Sequence, residues 1–543
     1  MAAGSTSSKD LYMGLDFSTQ QLKLVVIDEN LKILLEESVK FDDLEKYNTS
    51  SGCHISPDGL TVTSPTIMWV EAVDVILGKL VNSNFDFSKI KAISGSGQQH
   101  GSVFWKNGSG EMLKNLNPKH SLKSQLVDSF SVPDSPIWMD SSTSEQCIKL
   151  ELAAGGAQAL ADITGSKAYE RFTGNQILKV IENAPNAYKD TERISLVSSF
   201  GATLFCGAYC EIDESDGSGM NLFNIKTRAW EPKLIDACSK DLADKLGNPV
   251  PSVTIQGSIS LYFVNKYGFV PSCQIVSFTG DNPASLAGMR LMESDIAVSL
   301  GSSDVVFLWL EDPIMKTEGH VFVNPVDTSA YMALLCFKNG SLTREFVRDH
   351  HTDNKSWTEF EQLLNLQPIG NNGNIGFYFP IAEIIPGNVE GFYYFDSSDM
   401  PVQDFSPAEH VRAIIESQFL SRRIHAENMG FNLDGCRILA TGGASNNSAI
   451  LQVMSDIFNA PVYTQEVANS ASLGAAMIAM HAVKVTTDEI PYTYRLKKKG
   501  LQFQRVASPT PGSKEIYDIM AKRYRNLEKQ VIQMHSSKAK GKV

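Results

Sequence analysis

Several absences narrow what this 543-residue chain does before any motif is found. No apolar run approaches the ~18 residues of a membrane-crossing helix, which excludes membrane embedding as its business. The opening MAAGSTSSKD lacks the apolar core of a signal peptide, and the closing Gly-Lys-Val matches no carboxyl-terminal sorting signal, so a cytoplasmic protein is expected. The eight cysteines (Cys53, Cys147, Cys206, Cys210, Cys238, Cys273, Cys336 and Cys436) include no C-x-x-C pair, and the ten histidines no H-E-x-x-H. That disfavours zinc and a disulfide framework, and free thiols in a reducing compartment are expected. Positive charge is scarce. The formal net charge of −13 argues against nucleic acid as a partner. There is no G-x-x-x-x-G-K-[ST], and Gly95-Ser96-Gly97 runs on into Gln98-Gln99-His100 without the third glycine of a dinucleotide fingerprint.

What remains is an ordinary globular mixture, 43 % hydrophobic and 20 % charged, long enough for two to four domains at about 150 residues each. Residues 11–27 read as two strands around the turn Asp16-Phe17-Ser18-Thr19-Gln20, and 295–310 repeat the design around Gly301-Ser302-Ser303-Asp304. A second pairing is expected between 274–292 and 437–454, each a strand, a glycine turn and a helix. Duplicated α/β domains follow, with their boundary near 284–294, where Pro283 opens a helix suited to a hinge. Asn371–Gly376 reads as a loop. The last sixty residues carry fourteen Lys or Arg against five Asp or Glu. From Ser513 a helix is expected that buries a stripe of Ile516, Met520, Tyr524, Leu527, Val531 and Met534, its basic face in water or against an acidic partner.

Some residues carry the chemistry of a phosphate site. Ser18, Thr19, Ser302 and Ser303 offer hydroxyl and backbone donors in tight turns, and two such turns in related domains could grip a polyphosphate from both sides. Asp16 at a strand end is a hard oxygen ligand for Mg²⁺. Gly442 and Gly443 let a ligand approach a helix N-terminus, and Asn446 suits a base, a ribose or the cap of its own helix. Asp281 stands at the mouth of a strand, placed to take a proton from an attacking hydroxyl or, with Asn282, to cap a helix. His100 with Gln98 and Gln99 could read a polyol or a carbonyl; Arg171 is a hydroxyl clamp or a surface residue, and Trp138 is core or a pocket wall.

Taken together, MGLDFSTQQ, GSGQQHGS, PIWMDSST, GSKAYERFTGNQ, SDGSGMNL, FTGDNPASLAGM, SLGSSD and ATGGASNN resemble the FGGY carbohydrate-kinase family over about residues 11–483. The resemblance implies two RNase H-like (actin-like ATPase) domains of α/β class with a cleft between them. It divides the chain into a sugar-binding domain at 11–286, a nucleotide-binding domain at 287–483 and a basic extension at 484–543. The implied reaction is ATP-dependent phosphorylation of D-xylulose to D-xylulose 5-phosphate, with Mg²⁺, in a monomer without nucleic-acid or membrane partners. Asp281 is the implied catalytic base; His100, Arg171, Asp281 and Asn282 contact the sugar. Asp16 lies by the metal, and Ser18, Thr19, Ser302, Ser303, Trp357, Gly442, Gly443 and Asn446 line the ATP site. The alternatives are a kinase for another ketopentose, polyol or sugar acid, and a non-catalytic actin-like ATP switch, which would have no use for an Asp-Asn pair beside a His-Arg pocket. The GQQHG segment lacks the Arg-Glu pair expected of glycerol kinases. Ser18 replaces a common Gly and Ser302 a common Thr. Ser142 stands where an Arg is frequent. Asp304 replaces a common Gly, which places an additional negative charge near the phosphates.

Overall fold

The computed structural model describes residues 10–465, 469–499 and 503–540. The terminal segments read above, 1–9 and 541–543, lie outside the described residues. The chain divides into two units: residues 10–290, 321–330 and 469–499 in the first, and 291–320, 331–465 and 503–540 in the second.

The sheet of the first unit starts from the expected hairpin. Leu11–Phe17 is buried throughout, as a central strand covered on both faces must be, and pairs antiparallel with Gln21–Asp28, Phe17 opposite Leu22. The edge strand Ile33–Lys40 is mostly exposed, and its charged and polar residues (Glu36, Glu37, Ser38, Lys40) blunt that edge. In space the strands stand in the order Ile33–Lys40, Gln21–Asp28, Leu11–Phe17, Ile90–Gly97, Gln274–Val276, Ile255–Ser258. Leu11–Phe17 and Ile90–Gly97 are parallel, with Asp16 beside Ser96, and the short strand Thr279–Gly280 sets Thr279 on Ser96's other side. One row of the sheet therefore carries Asp16, Ser96 and Thr279, and the chain leaves all three parallel strands at the same edge. Behind it Phe200, on the helix Val197–Cys206, nests among Phe17, Trp69 and Trp105 at ring separations of 5.6–6.1 Å.

Two helices of this unit, Asp281–Gly288 and Ser470–Asp488, cross with their backbones almost touching. A Cβ on Gly288 would lie 1.9 Å from the Ser470 carbonyl oxygen, and one on Gly474 1.8 Å from that of Ala284. Only glycine permits this approach, which seats the helix that begins with Asp281.

The second unit repeats the plan. Asp295–Leu300 pairs antiparallel with Asp304–Leu310 and parallel with Arg437–Thr441. From Tyr331–Phe337 onward the strands stand in the order Tyr331–Phe337, Asp304–Leu310, Asp295–Leu300, Arg437–Thr441, Val462–Thr464, Gln504–Ala507. In both sheets three strands form a meander, two later strands add in parallel beside the strand that opens it, and an antiparallel strand closes that edge: Ile255–Ser258, which precedes its neighbour in the chain, or Gln504–Ala507, which follows it. This is the duplicated α/β architecture expected from the two hairpins. The second pairing needs correction. By position, Arg437–Thr441 corresponds to Ile90–Gly97, and Val462–Thr464 to Gln274–Val276. The shared strand–glycine–helix pattern is a property of βα turns in general, whereas rank in the sheet depends on long-range pairing.

Asn371–Gly376 is a short helical turn, Asn371–Gly373, that enters the strand Ile375–Phe379. The expected terminal helix runs Ser513–Lys540 and packs on the helices Pro407–Asn428 and Ser448–Phe458. Its buried stripe is Tyr517, Met520, Tyr524, Leu527 and Val531, while Ile516 is 40 % exposed. Tyr517 displaces Ile516 from the seam because its hydroxyl finds partners there: it donates to Glu416 Oε1 at 2.7 Å and accepts from Arg412 at 2.8 Å.

Candidate active site

The carboxyl edge of the first sheet gathers the polar residues singled out from the sequence. Asp16 is 3 % exposed, and its carboxylate accepts from Ser96 Oγ at 2.9 Å and from Ser18 Oγ, with Lys23 at 3.8 Å. Burial raises its pKa despite these partners. The Ser18 N–H donates to Gln21 O at 3.1 Å, closing the hairpin turn. Thr19 Oγ1 accepts from the Trp138 indole at 2.8 Å. Trp138 is 45 % exposed, so it walls this turn and is not core.

Asp281 opens its helix at the same edge. Its Oδ1 accepts from the backbone N–H of Asn282 at 2.9 Å and of Gln99 at 3.4 Å, and from Asn282 Nδ2 at 3.1 Å. These three donors all fall on one oxygen, Oδ1. Burial, and then the negative charge of Asp16, push the carboxyl up to about 7. Asn282 Nδ2 also donates to Gln99 Oε1 at 2.8 Å, which ties the Asp-Asn pair to the segment before His100.

His100 sits in the left-handed region at φ 70° and is buried, stacked on Phe172 with ring centroids 4.3 Å apart. Its Nδ1 lies 3.0 Å from the Gly219 carbonyl oxygen; a carbonyl only accepts, so Nδ1 carries the hydrogen and Nε2 is an acceptor. Burial, and then the charge of Arg171, drive the ring down to about 3, so it is neutral at physiological pH. The Arg171 guanidinium lies 5.0 Å from the Tyr169 ring centroid and 5.9 Å from that of Phe172. Gln98 and Gln99 are buried; Gln99 faces the Asp216 carboxylate, while both polar side-chain atoms of Gln98 have no hydrogen-bond partner among the described residues. Buried amides in that state await a polar ligand or water.

Two buried carboxylates in the same unit were given no role from the sequence. Asp213 accepts from Thr279 Oγ1 at 2.8 Å and from Ser252, and burial pushes it up to about 6. Asp216 accepts from Ser198 Oγ at 2.6 Å; burial, and then Asp213, hold it well above the usual carboxylate range. In sequence, Asp213-Glu214-Ser215-Asp216 has the look of a solvated acidic run, and only the tertiary packing buries it. A Cβ on Gly280 would lie 2.7 Å from Asp216 Oδ1, so the glycine before Asp281 admits this carboxylate.

The second unit holds a cavity of about 550 Å³, of a size that takes a nucleotide. Ser302, Trp357, Gly443 and Asn446, singled out from the sequence, line it; so do Arg344, Glu345 and Glu361, which the sequence did not point to. Ser303 is exposed at the tip of the turn beside Ser302. The turn is braced from behind, with Ser341 N–H donating to Gly301 O at 2.8 Å. Gly442, at φ 83°, packs against the Leu300 backbone, where a Cβ would come within 2.7 Å of its carbonyl oxygen. The helix Ser448–Phe458 is capped by Asn447, whose Oδ1 accepts from Ile450 N–H at 3.0 Å, so Asn446 is not spent on capping. Trp357 begins the helix Trp357–Leu366 with the Arg348 guanidinium 4.6 Å from its ring centroid. The negative charge expected from Asp304 does not reach the cavity as such: its carboxylate is fully buried against Arg344 and Arg422, each at 3.1 Å.

Among the described residues no group of three or more His, Cys, Asp or Glu could hold a metal on its own. No helix among them is long and apolar enough to cross a membrane.

A duplicated meander-plus-parallel sheet, with a hydroxyl turn in each copy, is the frame of the actin-like sugar kinases. Residues 133–288 match the N-terminal domain and 296–483 the C-terminal domain of the FGGY family of carbohydrate kinases. The chain is 51 % identical over 531 residues to the xylulose kinase of Rattus norvegicus, covering 97 % of this chain and 98 % of that one. The crystal structure of xylulose kinase from Rhodospirillum rubrum superposes with a TM-score of 0.78 at 14 % identity, covering 97 % of this chain and all of that one. Gluconate kinase from Lactobacillus acidophilus gives 0.76 at 18 %, covering 97 % of this chain and 99 % of that one. Fold alone therefore does not select the sugar. The chain belongs to the FGGY family of carbohydrate kinases.

Proposed function

We propose that this chain is a xylulokinase, transferring the γ-phosphoryl group of ATP to the terminal hydroxyl of D-xylulose. Identity of about half along nearly the whole length of the rat xylulose kinase supports the substrate. The observation that carries the chemistry is Asp281, a carboxyl near neutrality whose Oδ1 is held by three donors while Oδ2 faces no such demand. A base with a pKa near the working pH both accepts a proton readily and is sufficiently deprotonated to do so.

In this reading the sugar lies along the carboxyl edge of the first sheet. His100 Nε2 accepts from one hydroxyl, the amides of Gln98 and Gln99 and the guanidinium of Arg171 bind others, and Asn282 fixes Asp281. The sugar oxygen forms a bond to the γ-phosphorus as the bond from that phosphorus to the β,γ-bridging oxygen breaks. The hydroxyl proton passes to Asp281 Oδ2 and later to water, and ADP leaves. Ser18, Thr19, Ser302 and Ser303 with their backbone N–H groups bind phosphate oxygens, Gly442 and Gly443 keep the backbone open to the nucleotide, and Trp357 and Asn446 bind the adenosine. Mg²⁺ fits this set. A lone carboxylate such as Asp16, supplemented by phosphate oxygens and waters, is its usual provision, and when bound it would neutralise charge on the transferring group.

The test is ADP release measured over D-xylulose, other pentuloses, pentoses, glycerol and gluconate, with Asp281→Ala in parallel. D-xylulose is expected to give the highest kcat/KM, and the variant to lose about 10²–10⁴-fold in kcat while binding ATP normally. A better sugar overturns the substrate; ATP turnover indifferent to any sugar overturns the kinase reading. A variant with more than a tenth of the activity removes Asp281 from its role.

A further inference from the structure

We propose that Glu361 reads the ribose of the nucleotide, accepting hydrogen bonds from its vicinal hydroxyls and so setting a preference for ribonucleotides. The assignment rests on the nucleotide reading of the second unit's cavity.

A carboxylate is an odd lining for a site that must take a polyanion, and this cavity has two, Glu345 and Glu361. Their positions differ in kind. Glu345 lies on the helix Ser341–His351, whose first N–H is bonded to the turn of Gly301 at 2.8 Å, and so belongs to the phosphate end. Glu361 lies on the helix Trp357–Leu366, four residues after Trp357. Residues four apart share a face of a helix and are separated by about 6 Å along it. Both line the cavity. With the indole against the base, the carboxylate falls one helical turn along the ligand, and the part of a nucleotide next to its base is the ribose. A vicinal diol supplies hydroxyl donors, which an ionised carboxylate, an acceptor only, can satisfy.

The side chain is also held in place. Asn447 Nδ2 donates to Glu361 Oε1 at 2.7 Å. Asn447 is itself fixed, because its Oδ1 caps the helix Ser448–Phe458 through Ile450 N–H at 3.0 Å. A carboxylate oriented by a residue that is anchored by a helix cap is preorganised for its ligand, and such positioning is what a specificity contact needs.

The experiment compares ATP with 2′,3′-dideoxy-ATP on the full chain, by calorimetric binding and by steady-state transfer, in the wild type and in Glu361→Ala. Hydrogen bonds to a charged acceptor are strong enough that the wild type should bind ATP roughly tenfold or more tightly than the dideoxy analogue. The variant should lose that preference: about tenfold weaker for ATP and within about twofold of wild type for the analogue. Equal weakening of both nucleotides overturns the assignment, since Glu361 would then act on the base, the phosphates or the fold. An unchanged ratio overturns it as well. Failure of the wild type to bind either nucleotide overturns it together with the nucleotide reading, and is recognised by the absence of any calorimetric signal before the variant is considered.

Discussion

Replacing Asp304 by glycine separates two opposite accounts of the phosphate turn. If Asp304 were a bare negative charge beside the phosphates, the substitution would relieve repulsion and tighten ATP. In the structure the Asp304 backbone closes the hairpin opposite Leu300, and its carboxylate accepts from both Nη atoms of Arg344 and from Arg422 Nη2, all at 3.1 Å. All three side chains are buried, Asp304 and Arg344 completely. Two guanidiniums share one carboxylate, which leaves an excess positive charge behind the turn, and Arg344 lines the cavity. Deleting the anion strands two buried cations. Losing one partner of a buried pair typically destabilises by about 3–5 kcal/mol. For a unit of about 200 residues at roughly 2–4 °C per kcal/mol, that is a fall in Tm of roughly 6–20 °C. The turn, no longer tied to the helices Ser341–His351 and Pro407–Asn428, should also hold phosphate less well, so the KM for ATP should rise. Differential scanning fluorimetry and ATP titration of Asp304→Gly decide the matter, with Asp304→Asn as a milder companion. A Tm within about 2 °C of wild type, or a lower KM for ATP, would refute the structural account.

Three further outcomes are expected. Because a base works deprotonated and burial with Asp16 raises Asp281 to about 7, kcat/KM for the sugar should climb with pH through about 7 and flatten above it. Asp16→Asn removes the neighbouring charge and should move that limb to lower pH; a limb left in place in this variant shows that the rise belongs to another group. His100→Ala should raise the KM for D-xylulose with little change for ATP, and an unaltered sugar KM would leave His100 a structural residue stacked on Phe172. Burial works against the charge on His425, but Glu528 at 3.1 Å and Glu318 at 3.4 Å prevail and hold it up to about 9. Since this lies above the unfolded value near 6.5, the stability it contributes is full below that pH and is lost as pH rises through about 9. Thermal unfolding between pH 6.5 and 9.5 should therefore show a decline on the order of 2–3 kcal/mol that His425→Leu flattens; an equal decline in the variant assigns it elsewhere.

Both hairpins were legible in the sequence because a hairpin is local. Its two apolar runs and the hydroxyl-rich turn between them lie within about twenty residues, and period and turn chemistry are sufficient to read them. Asp16, His100 and Asp281 were legible for a related reason: each ends or follows a strand, and strand ends on one side of a parallel sheet converge whatever lies between them. Rank within the sheet was not legible. Strand–glycine–helix describes Gln274–Gly288 and Arg437–Phe458 equally well, and only pairing with a strand well over a hundred residues away distinguishes the strand beside the opening hairpin from the one beyond it. Tyr517 and Ile516 show the same limit at the scale of one side chain. Hydropathy prefers isoleucine for a seam, but Glu416 and Arg412 wait there, and a hydroxyl that satisfies both is better suited than a methyl group that satisfies neither.

The electrostatics of the site were the least legible, and the reason is general. A charge read from sequence carries its sign but not its partner. Asp304 read as an intrusion near the phosphates, yet the arginines that cancel it sit 40 and 118 residues away on separate helices. Asp213 and Asp216 were given no role from the sequence, yet burial lifts both, and Asp216 in turn feels Asp281. Asp281 itself could be named from its place at a strand mouth, but what raises its carboxyl toward neutral pH is burial, and then the charge of Asp16, on a strand set by the parallel register of Leu11–Phe17, Ile90–Gly97 and Thr279–Gly280. The residue proposed as the base is thus visible in one dimension, while the raised pKa on which that proposal leans exists only after the sheet has formed.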